Sequence, residues 1–466
     1  MAPDATALSA ELATGRVSAV ELVEQSIAAI KAGDGVLNAV VVRDFERARA
    51  AAEQADRCLA AGERLPLLGV PITIKESFDV EGLPTSWGLE AFRGAVARED
   101  AVAVARLRAA GAVILGKTNV SQGLDGWNAD NPVYGRTGNP VRAGLSPGGS
   151  SSGAAAAVSA GYVPLDIGSD LGGSIRGPAQ FCGIWGHVAS MGLIPLRGHA
   201  LAGRKARFDL SCPGPLARSA RDLELGLTVM AGPDADEAVG YTLTLPPPRV
   251  EKLSELRVLV LEEHPMVPTD PEVRAGVALA AELLGRAGAK VRRAEGVMPD
   301  VEEATQIYLR LLGGAVALGQ TAEQLAAARE ELRGLDPGSM AAWRIGGMVA
   351  SHAEWIEANE ARVKLRWAWQ EVFRDWDALI CPPMSVAALG EAEAAAPSVL
   401  VDGVAMERGD SVAWTALGNG AALPATVMPI GRMRDGRSTG IQIIGPYLED
   451  RTTIAIAGLL DVAHCR

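Results

Sequence analysis

Two glycine- and serine-rich segments decide how this chain is interpreted. Residues 146–153 read SPGGSSSG and residues 168–176 read GSDLGGSIR, with a helical run of small residues over 154–161 between them. Upstream, Lys75 closes the apolar, strand-like run VPITIK of residues 70–75. Glycine at this density lets backbone N–H groups approach a reacting atom closely. The segments together provide hydroxyl groups on tight turns and an amine that burial could keep neutral.

A serine nucleophile needs a base, because a serine hydroxyl is a weak nucleophile until its proton is removed. Histidine is the usual base, but none of the five histidines lies in a recognisable triad context: His187, His199, His264, His352 and His464. Lys75 is the better candidate because apolar surroundings disfavour the ammonium form and lower a lysine pKa. A lone lysine after a strand is usually a solvated end or half of an ion pair, but the serine-rich turns downstream favour a base here.

A rival pattern overlaps the first serine turn. Residues 149–153, GSSSG, fit the GxSxG nucleophile elbow of the α/β-hydrolases, which would make Ser151 the nucleophile. That elbow follows directly on a hydrophobic strand. The preceding residues 143–148, AGLSPG, contain two glycines and a proline and are unsuited to a central strand. The sequence context therefore argues against the α/β-hydrolase interpretation.

The chain resembles the amidase signature family, serine hydrolases with a Ser–cis-Ser–Lys triad. The resemblance rests on the GGSS turn at 148–151, the GSDxGGSIR pattern at 168–176 and the sequence PAQFCG at 178–183. Further similar segments extend it over about residues 5–460: KESFDVEGLPT at 75–85, GKTN at 116–119, GPLARS at 214–219 and LPAT at 423–426.

The resemblance implies a role for each part of the pattern. Ser174 would be the nucleophile, Ser150 the bridging serine that follows a cis peptide bond, and Lys75 the base. A glycine pair before the nucleophile lets consecutive N–H groups converge on one oxygen, where each donor is worth about 3 kcal/mol in the transition state. The oxyanion hole would consist of the backbone N–H groups of Leu171, Gly172, Gly173 and Ser174.

Neighbouring residues are expected to support the triad. Asp170 and Arg176 would hold the loops, with a simple buried ion pair as an equally good alternative, and Ser151 would donate a supporting hydrogen bond. The chain departs from the family at Val188-Ala189, where Lys-Pro is usual, and at Ser152, where glycine is common. Neither departure touches the triad, but both bear on the geometry of the loops around the substrate.

Composition narrows the choice of partners. The 466 residues carry a net charge of −12 and no stripe of lysine and arginine, which argues against binding to nucleic acid or to an anionic membrane. Neither a signal peptide nor an apolar run long enough to span a bilayer is visible, so we expect a cytoplasmic protein. We expect a small-molecule amide as partner, no metal or organic cofactor, and a homodimer as one assembly open to the chain. The five cysteines have no CxxC spacing and read as reduced thiols: Cys58, Cys182, Cys212, Cys381 and Cys465.

The fold class follows from alternating patterns. Short β-branched runs at 70–74 and 112–115 alternate with a helical pattern at 101–110, which is typical of α/β proteins. We predict one large three-layer α/β/α domain over residues 1–466, with helices on both sides of a mixed central sheet. Its parts would be N-terminal helices (1–65), a catalytic core (66–245), a helical excursion (246–380) and the C-terminal part of the core (381–466).

The resulting prediction is an amidase that hydrolyses a carboxylic amide, linear or aryl, through an acyl-enzyme on Ser174. The rivals are a subunit of a glutamine-dependent tRNA amidotransferase, disfavoured by Gly177 where such a subunit commonly has glutamine, and a non-catalytic binding protein on the same fold. We expect Met340, Trp343 and Trp127 to line the acyl pocket, although methionine and tryptophan at helical spacing usually pack inward.

Overall fold

The computed structural model describes residues 3–201 and 204–464 of the chain. Its β-strands are, in chain order, β1 (Val40–Arg43), β2 (Pro71–Lys75), β3 (Val113–Thr118), β4 (Asp130–Asn131), β5 (Gly135–Arg136), β6 (Leu165–Asp170), β7 (Trp185–Val188), β8 (Cys212–Ala217), β9 (Arg257–Val260), β10 (Lys290–Arg293), β11 (Ala378–Cys381), β12 (Ser398–Val401), β13 (Val404–Glu407), β14 (Ala425–Arg432) and β15 (Ser438–Ile444).

The helices precede, connect and follow these strands. In chain order they are α1 (Ala5–Ala13), α2 (Ala19–Leu37), α3 (Phe45–Ala60), α4 (Val102–Ala109), α5 (Ser152–Ser159), α6 (Arg176–Cys182), α7 (Ala220–Met230), α8 (Pro271–Arg286), α9 (Val301–Val316), α10 (Ala322–Gly334), α11 (Met340–Met348), α12 (His352–Asp375), α13 (Glu391–Ala395), α14 (Ala413–Asn419) and α15 (Asp450–His464).

The central sheet has 11 strands in the order β1-β3-β2-β6-β8-β7-β14-β15-β11-β9-β10, and two small hairpins lie outside it. Strands β3, β2 and β6 run parallel, as do β11, β9 and β10 at the other end. The strands between these two groups, and β1 at the edge, pair antiparallel with their neighbours. The predicted mixed sheet is therefore confirmed.

Helices cover both faces of this sheet. In β8, Pro215 packs against Gly226 of α7, whereas the next residue, Leu216, points to Gly168, where Ser151 at the start of α5 also lies. Successive side chains of a strand point to opposite faces, so α7 and α5 lie on opposite sides of the sheet. The predicted three-layer α/β/α architecture is confirmed.

The segment 246–380 contributes more than helices. It supplies β9 and β10, which extend the sheet beyond β11, and α8, which connects these two parallel strands. Of the other helices in the segment, α9 packs against α11 and α12, and α10 packs against α11. Tyr308 of α9 and Trp369 of α12 are completely buried. Within 3–201 and 204–464, no helix has both the length and the apolar character of a membrane span. Four cysteines are free thiols, and Cys465 lies outside the described residues.

The sheet brings the two predicted site segments together. Strands β2 and β6 are parallel neighbours in which Thr73 pairs with Asp166, so Lys75 and Asp170 end their strands at the same edge. In α/β proteins this carboxyl edge is where ligands usually bind. Helices α5 and α6 begin at the same edge, directly after the two serine turns. The fold therefore concentrates all three sequence signals at one place.

Gly168 offers a test of this packing. A Cβ on Gly168 would lie 2.5 Å from Leu216 Cδ1, 2.9 Å from Ser151 Oγ and 3.0 Å from Ile175 Cγ1. Gly168→Ala should lower the free energy of unfolding by about 1–3 kcal/mol, because an added methyl group in a filled core forces its neighbours apart. Thermal or urea unfolding measures the change.

The matched control is Gly285→Ala on the exposed side of α8, where a Cβ meets nothing within 4 Å. That substitution should stabilise the protein by about 0.4–1 kcal/mol, because alanine can adopt the helical conformation of this position and loses less conformational entropy on folding than glycine. If both substitutions changed the free energy of unfolding by the same amount, the close packing inferred at Gly168 would be wrong.

Candidate active site

Lys75 lies at the centre of the site and is completely buried. Its Nζ is 2.8 Å from Ser150 Oγ, 2.9 Å from Ser151 Oγ and 2.9 Å from Ser169 Oγ. The carbonyl oxygen of Ser169 lies slightly further away, at 3.3 Å. The amine is thus surrounded by hydroxyl groups, which can both donate and accept hydrogen bonds. This arrangement suits an amine that exchanges protons.

The protonation of Lys75 is governed by its burial. Burial lowers the pKa of Lys75 to about 7, against the opposing attraction of Asp170 and Asp166. The carboxyl group of Asp166 is itself buried, which raises its pKa to about 7, although the hydroxyl groups of Thr73 and Thr118 donate to it at 2.6 and 3.1 Å. A large fraction of Lys75 is therefore neutral near pH 7 and able to accept a proton.

The first serine turn is held in an unusual backbone conformation. The peptide bond between Gly149 and Ser150 is cis, as the family resemblance implies. The hydroxyl of Ser146 donates to the carbonyl of Trp127 and accepts the Gly148 N–H at 3.0 Å, which ties this turn to residues before it. Residues 143–148 form no β-strand, so the context needed by the α/β-hydrolase elbow is absent from this described segment.

Asp170 and Arg176 organise the second serine turn. Both side chains are completely buried, and Arg176 Nη2 donates to Asp170 Oδ1 at 2.7 Å. The Asp170 carboxylate also accepts the N–H groups of Gly173 at 3.0 Å and Ile175 at 2.9 Å. Burial by itself would raise the pKa of Asp170, but the charge and hydrogen bonds of Arg176 hold it below its usual value. The pair is therefore a buried ion pair that also shapes the loop.

The loop 171–174 presents backbone donors next to Ser174. The N–H groups of Leu171, Gly172 and Ser174 make no hydrogen bond within the described ranges, whereas that of Gly173 is directed to Asp170. The Ser174 side chain is partly exposed, and its hydroxyl has no hydrogen-bond partner among residues 3–201 and 204–464. The site thus offers an accessible serine beside unpartnered donors.

Comparison with known proteins identifies the family. The family model described as Amidase matches residues 21–454. The chain belongs to the amidase signature family. It is 38% identical over 393 residues to AtzE, the 1-carboxybiuret hydrolase subunit of Pseudomonas sp. (strain ADP), covering 81% of each chain. It is 33% identical to indoleacetamide hydrolase of Bradyrhizobium diazoefficiens, covering 97% of this chain and 84% of that protein.

Two further similarities bear on the rival interpretations. A glutamyl-tRNA(Gln) amidotransferase subunit of Roseiflexus sp. (strain RS-1) is 33% identical, with 96% of this chain and 93% of that protein covered. A chain of an inhibitor-bound vestigial protein complex that reveals the evolutionary origins of an s-triazine catabolic enzyme matches with a TM-score of 0.82 and 32% identity. The match covers 99% of this chain and 98% of that chain. The family therefore includes both hydrolases and amidotransferase subunits.

Sequence reasoning missed several residues of this amidase site. Ser169 and Asp166 lie on β6 beside Lys75, and the available signal was the presence of polar residues in this otherwise apolar, buried strand, LDIGSD at 165–170. Asn419 of α14 donates to Asp170 Oδ1 at 3.2 Å and accepts from Arg176 Nη2 at 2.9 Å. No local pattern marks Asn419, because it reaches the site only through the fold.

The predicted acyl-pocket residues lie in two different environments. Trp343 is buried in the core of the helical group, where α11 packs against α9, and Met340 begins α11 and is half-buried. Trp127 is buried beside the first serine turn. The side chains that a Cβ on Gly172 or Gly173 would meet are instead those of Tyr308, Val412, Met384 and Thr415.

The titration of Lys75 leads to a pH prediction. For an uncharged amide, kcat/KM should fall by about tenfold per pH unit below about pH 7, because protonation removes the base. Burial lowers the pKa of the neighbouring His199 to about 3, so this imidazole stays neutral throughout. Lys75→Arg should be inactive up to about pH 10, because a guanidinium does not lose its proton there. Steady-state rates over about pH 5–10 measure this.

Asp166→Asn distinguishes the effect of Lys75 on the pH profile from that of Asp166, the other buried group with a pKa of about 7. Removing the carboxylate removes an attraction for the ammonium form of Lys75, so the acidic limb of the profile should move to lower pH. The amide oxygen can still accept from Thr73, which limits structural damage. A wild-type profile that stays flat from about pH 5 to 9 would rule out a titrating lysine.

Proposed function

We propose that this protein hydrolyses the C–N bond of a carboxylic amide through an acyl-enzyme on Ser174. The observation that carries the proposal is the fully buried Lys75, whose Nζ lies 2.8 Å from the hydroxyl of Ser150 at a cis turn. The Ser151 N–H donates to the carbonyl of Ser174 at 3.2 Å, which ties the two serine turns together. The relatives that are hydrolases of amide-containing compounds support the same conclusion.

In the first half-reaction, the Ser174 hydroxyl attacks the carbonyl carbon while its proton passes through Ser150 to neutral Lys75. The carbonyl oxygen becomes an oxyanion, which unpartnered backbone N–H groups of residues 171–174 stabilise more strongly than the neutral carbonyl. Lys75 then returns a proton to the amide nitrogen, and ammonia or an amine leaves. This produces an ester on Ser174 and restores the neutral base.

In the second half-reaction, water attacks the ester carbonyl and its proton follows the same route to Lys75. The tetrahedral intermediate collapses with Ser174 as leaving group, and the proton returns from Lys75 to the serine oxygen. The carboxylic acid is released, so one amide and one water give one acid and one amine. All proton transfers use side chains of this chain, and the proposal requires no cofactor.

Ser174→Ala tests the nucleophile. Removing the hydroxyl should lower kcat by at least about 10⁴-fold while leaving the fold intact, as removal of a catalytic unit does elsewhere. Ammonia release from a panel of simple amides measures activity, and circular dichroism checks the fold. Ser151→Ala, which removes a different hydroxyl 2.9 Å from Lys75 Nζ, is the comparison and should retain far more activity.

The same experiment discriminates between the rivals. A purified chain that hydrolyses simple amides without added subunits contradicts the amidotransferase interpretation. Covalent labelling of Ser174 by a fluorophosphonate, lost in Ser174→Ala, contradicts a purely binding protein. If Ser174→Ala kept more than a tenth of the wild-type rate, or if Ser151 proved essential instead, the assignment of the nucleophile would be wrong.

For the substrate, we propose an amide with an aryl or medium-chain acyl group. The side chains that adjoin Gly172 and Gly173 include Val412 and Met384, which form an apolar wall next to the nucleophile. We further propose that Met340, Trp343 and Trp127 extend this pocket. The similarity to an indoleacetamide hydrolase supports an apolar acyl group.

A series of linear amides tests this preference. From acetamide to hexanamide, kcat/KM should rise a few-fold per carbon until the pocket is full, because each buried methylene is worth about 0.8 kcal/mol. Trp343→Ala should flatten the series if this residue lines the pocket. A flat or falling series with the wild-type protein would show that the aromatic side chains serve only the core.

A further inference from the structure

The Leu171–Gly172 peptide is held by side chains from two distant helices. Tyr308 of α9 donates its hydroxyl to the carbonyl oxygen of Leu171 at 2.9 Å. Asn419, the last residue of α14, donates its side-chain N–H to the same oxygen at 3.0 Å. Both side chains are buried, at 0% and 2% exposure. Neither residue has a role in the proposed proton transfers.

We propose that Tyr308 and Asn419 are positioning residues that aim the Gly172 N–H at the oxyanion by holding the carbonyl of Leu171. The inference rests on the proposed function and concerns the same site. A trans peptide is planar, so the C=O of one residue and the N–H of the next point in opposite directions. Fixing the Leu171 oxygen on one side therefore fixes the Gly172 N–H on the other.

Two further contacts fix the directions of neighbouring backbone groups in the loop. The carbonyl of Gly173 accepts the Gly177 N–H at 2.8 Å, which directs the N–H of Ser174 away from α6 by the same planar geometry. Between them, the Gly173 N–H turns to Asp170 at 3.0 Å. Of residues 172–174, Gly172 and Ser174 thus keep N–H groups without a protein partner in the described ranges.

The peptide before Gly172 needs this support more than its neighbours do. The Gly173 carbonyl is held by the first turn of α6, whereas the Leu171 carbonyl receives donors only from side chains among the described residues. A glycine lets the adjoining peptide rotate at little cost, so an unheld Leu171–Gly172 peptide could turn its N–H away. Side-chain donors on the carbonyl oppose that rotation.

The phenol of Tyr308 is well placed for a donor. Its oxygen would lie 3.1 Å from a Cβ on Gly172, so the ring fills the space beside this residue. Burial raises the pKa of Tyr308 well above its usual value, which keeps the hydroxyl protonated. Thr415 Oγ1, 3.5 Å away, is the other polar neighbour of the hydroxyl. The helical segment 246–380 thereby contributes a polar contact to the site as well as packing.

Tyr308→Phe tests the inference, because it removes one oxygen and leaves the ring in place. We expect kcat to fall about tenfold with KM nearly unchanged. Removal of an oxyanion donor itself lowers kcat by roughly 10²–10³. The loss here should be smaller because Asn419 still holds the Leu171 carbonyl. Affinity for a trifluoromethyl ketone, which places an oxyanion in the hole, should fall by the same factor. Tyr308→Phe/Asn419→Leu should lose about 100-fold in both.

Tyr447→Phe is the matched control. It removes an equivalent hydrogen bond, from the Tyr447 hydroxyl to the carbonyl of Met191 at 3.2 Å, outside the loop 171–174. Its kcat and inhibitor affinity should equal those of the wild type. A general effect of removing a tyrosine hydroxyl that binds a backbone carbonyl would change both variants alike and overturn the inference.

The inference fails separately from the proposed function. Suppose that Ser174→Ala is inactive but Tyr308→Phe keeps the wild-type kcat and inhibitor affinity. The positioning role of Tyr308 is then wrong, and the proposed amidase function is unaffected. If Tyr308→Phe raises KM alone, the residue acts on substrate binding and the inference is again overturned. If Ser174→Ala retains activity, the proposed function itself is wrong.

Discussion

The structure of the site depends on the burial of one amine. Lys75 is removed from water by the sheet and by two serine turns, and the cost of desolvating its charged form brings its pKa to about 7. This balance is sensitive to nearby carboxylates. Asp170 is paired with Arg176, and the pKa of Asp166 is itself raised by burial, so neither restores the ammonium form fully. The pairing with Arg176 therefore limits how far Asp170 favours the ammonium form of Lys75, and it also shapes a loop.

The site also depends on the orientation of the backbone N–H groups in the loop 171–174. An oxyanion is stabilised by donors that are already oriented, and two of the four residues in the loop 171–174 are glycines, which have little intrinsic preference for one orientation. Groups outside the loop fix the orientation of its peptides. Asp170 takes the Gly173 N–H, α6 takes the Gly173 carbonyl, and the Leu171 carbonyl is met by α9 and α14.

The sheet explains why residues so far apart meet. Parallel β2 and β6 bring Lys75 and Asp170 to one edge, and α5 and α6 start there, so their first residues adjoin the same space. The helices of segment 246–380 then close one side through Tyr308. Side chains at this edge can be placed accurately because rigid strands and helices carry them and only short turns separate those elements.

The sequence by itself determined the α/β class, several strands and helices, and the candidate triad. Residues 70–74 and 112–115 were readable as β2 and β3, and 101–110 as α4, because local sequence patterns reflect burial in such elements. Lys75, Ser150 and Ser174 stood out because glycine-rich turns and an apolar lysine segment are local features. The resemblance to the amidase signature family added the cis bond.

Only the tertiary structure decided what surrounds these residues. Strands β7, β8 and β14 were not predicted, since prolines and glycines interrupt their patterns, and their place in the sheet depends on distant partners. The contacts of Asn419 and Tyr308 with the loop join residues well over a hundred positions apart. The direction of the Gly173 N–H likewise follows from the path of the folded loop. Such relationships depend on how elements pack, and no local sequence pattern records packing between distant segments.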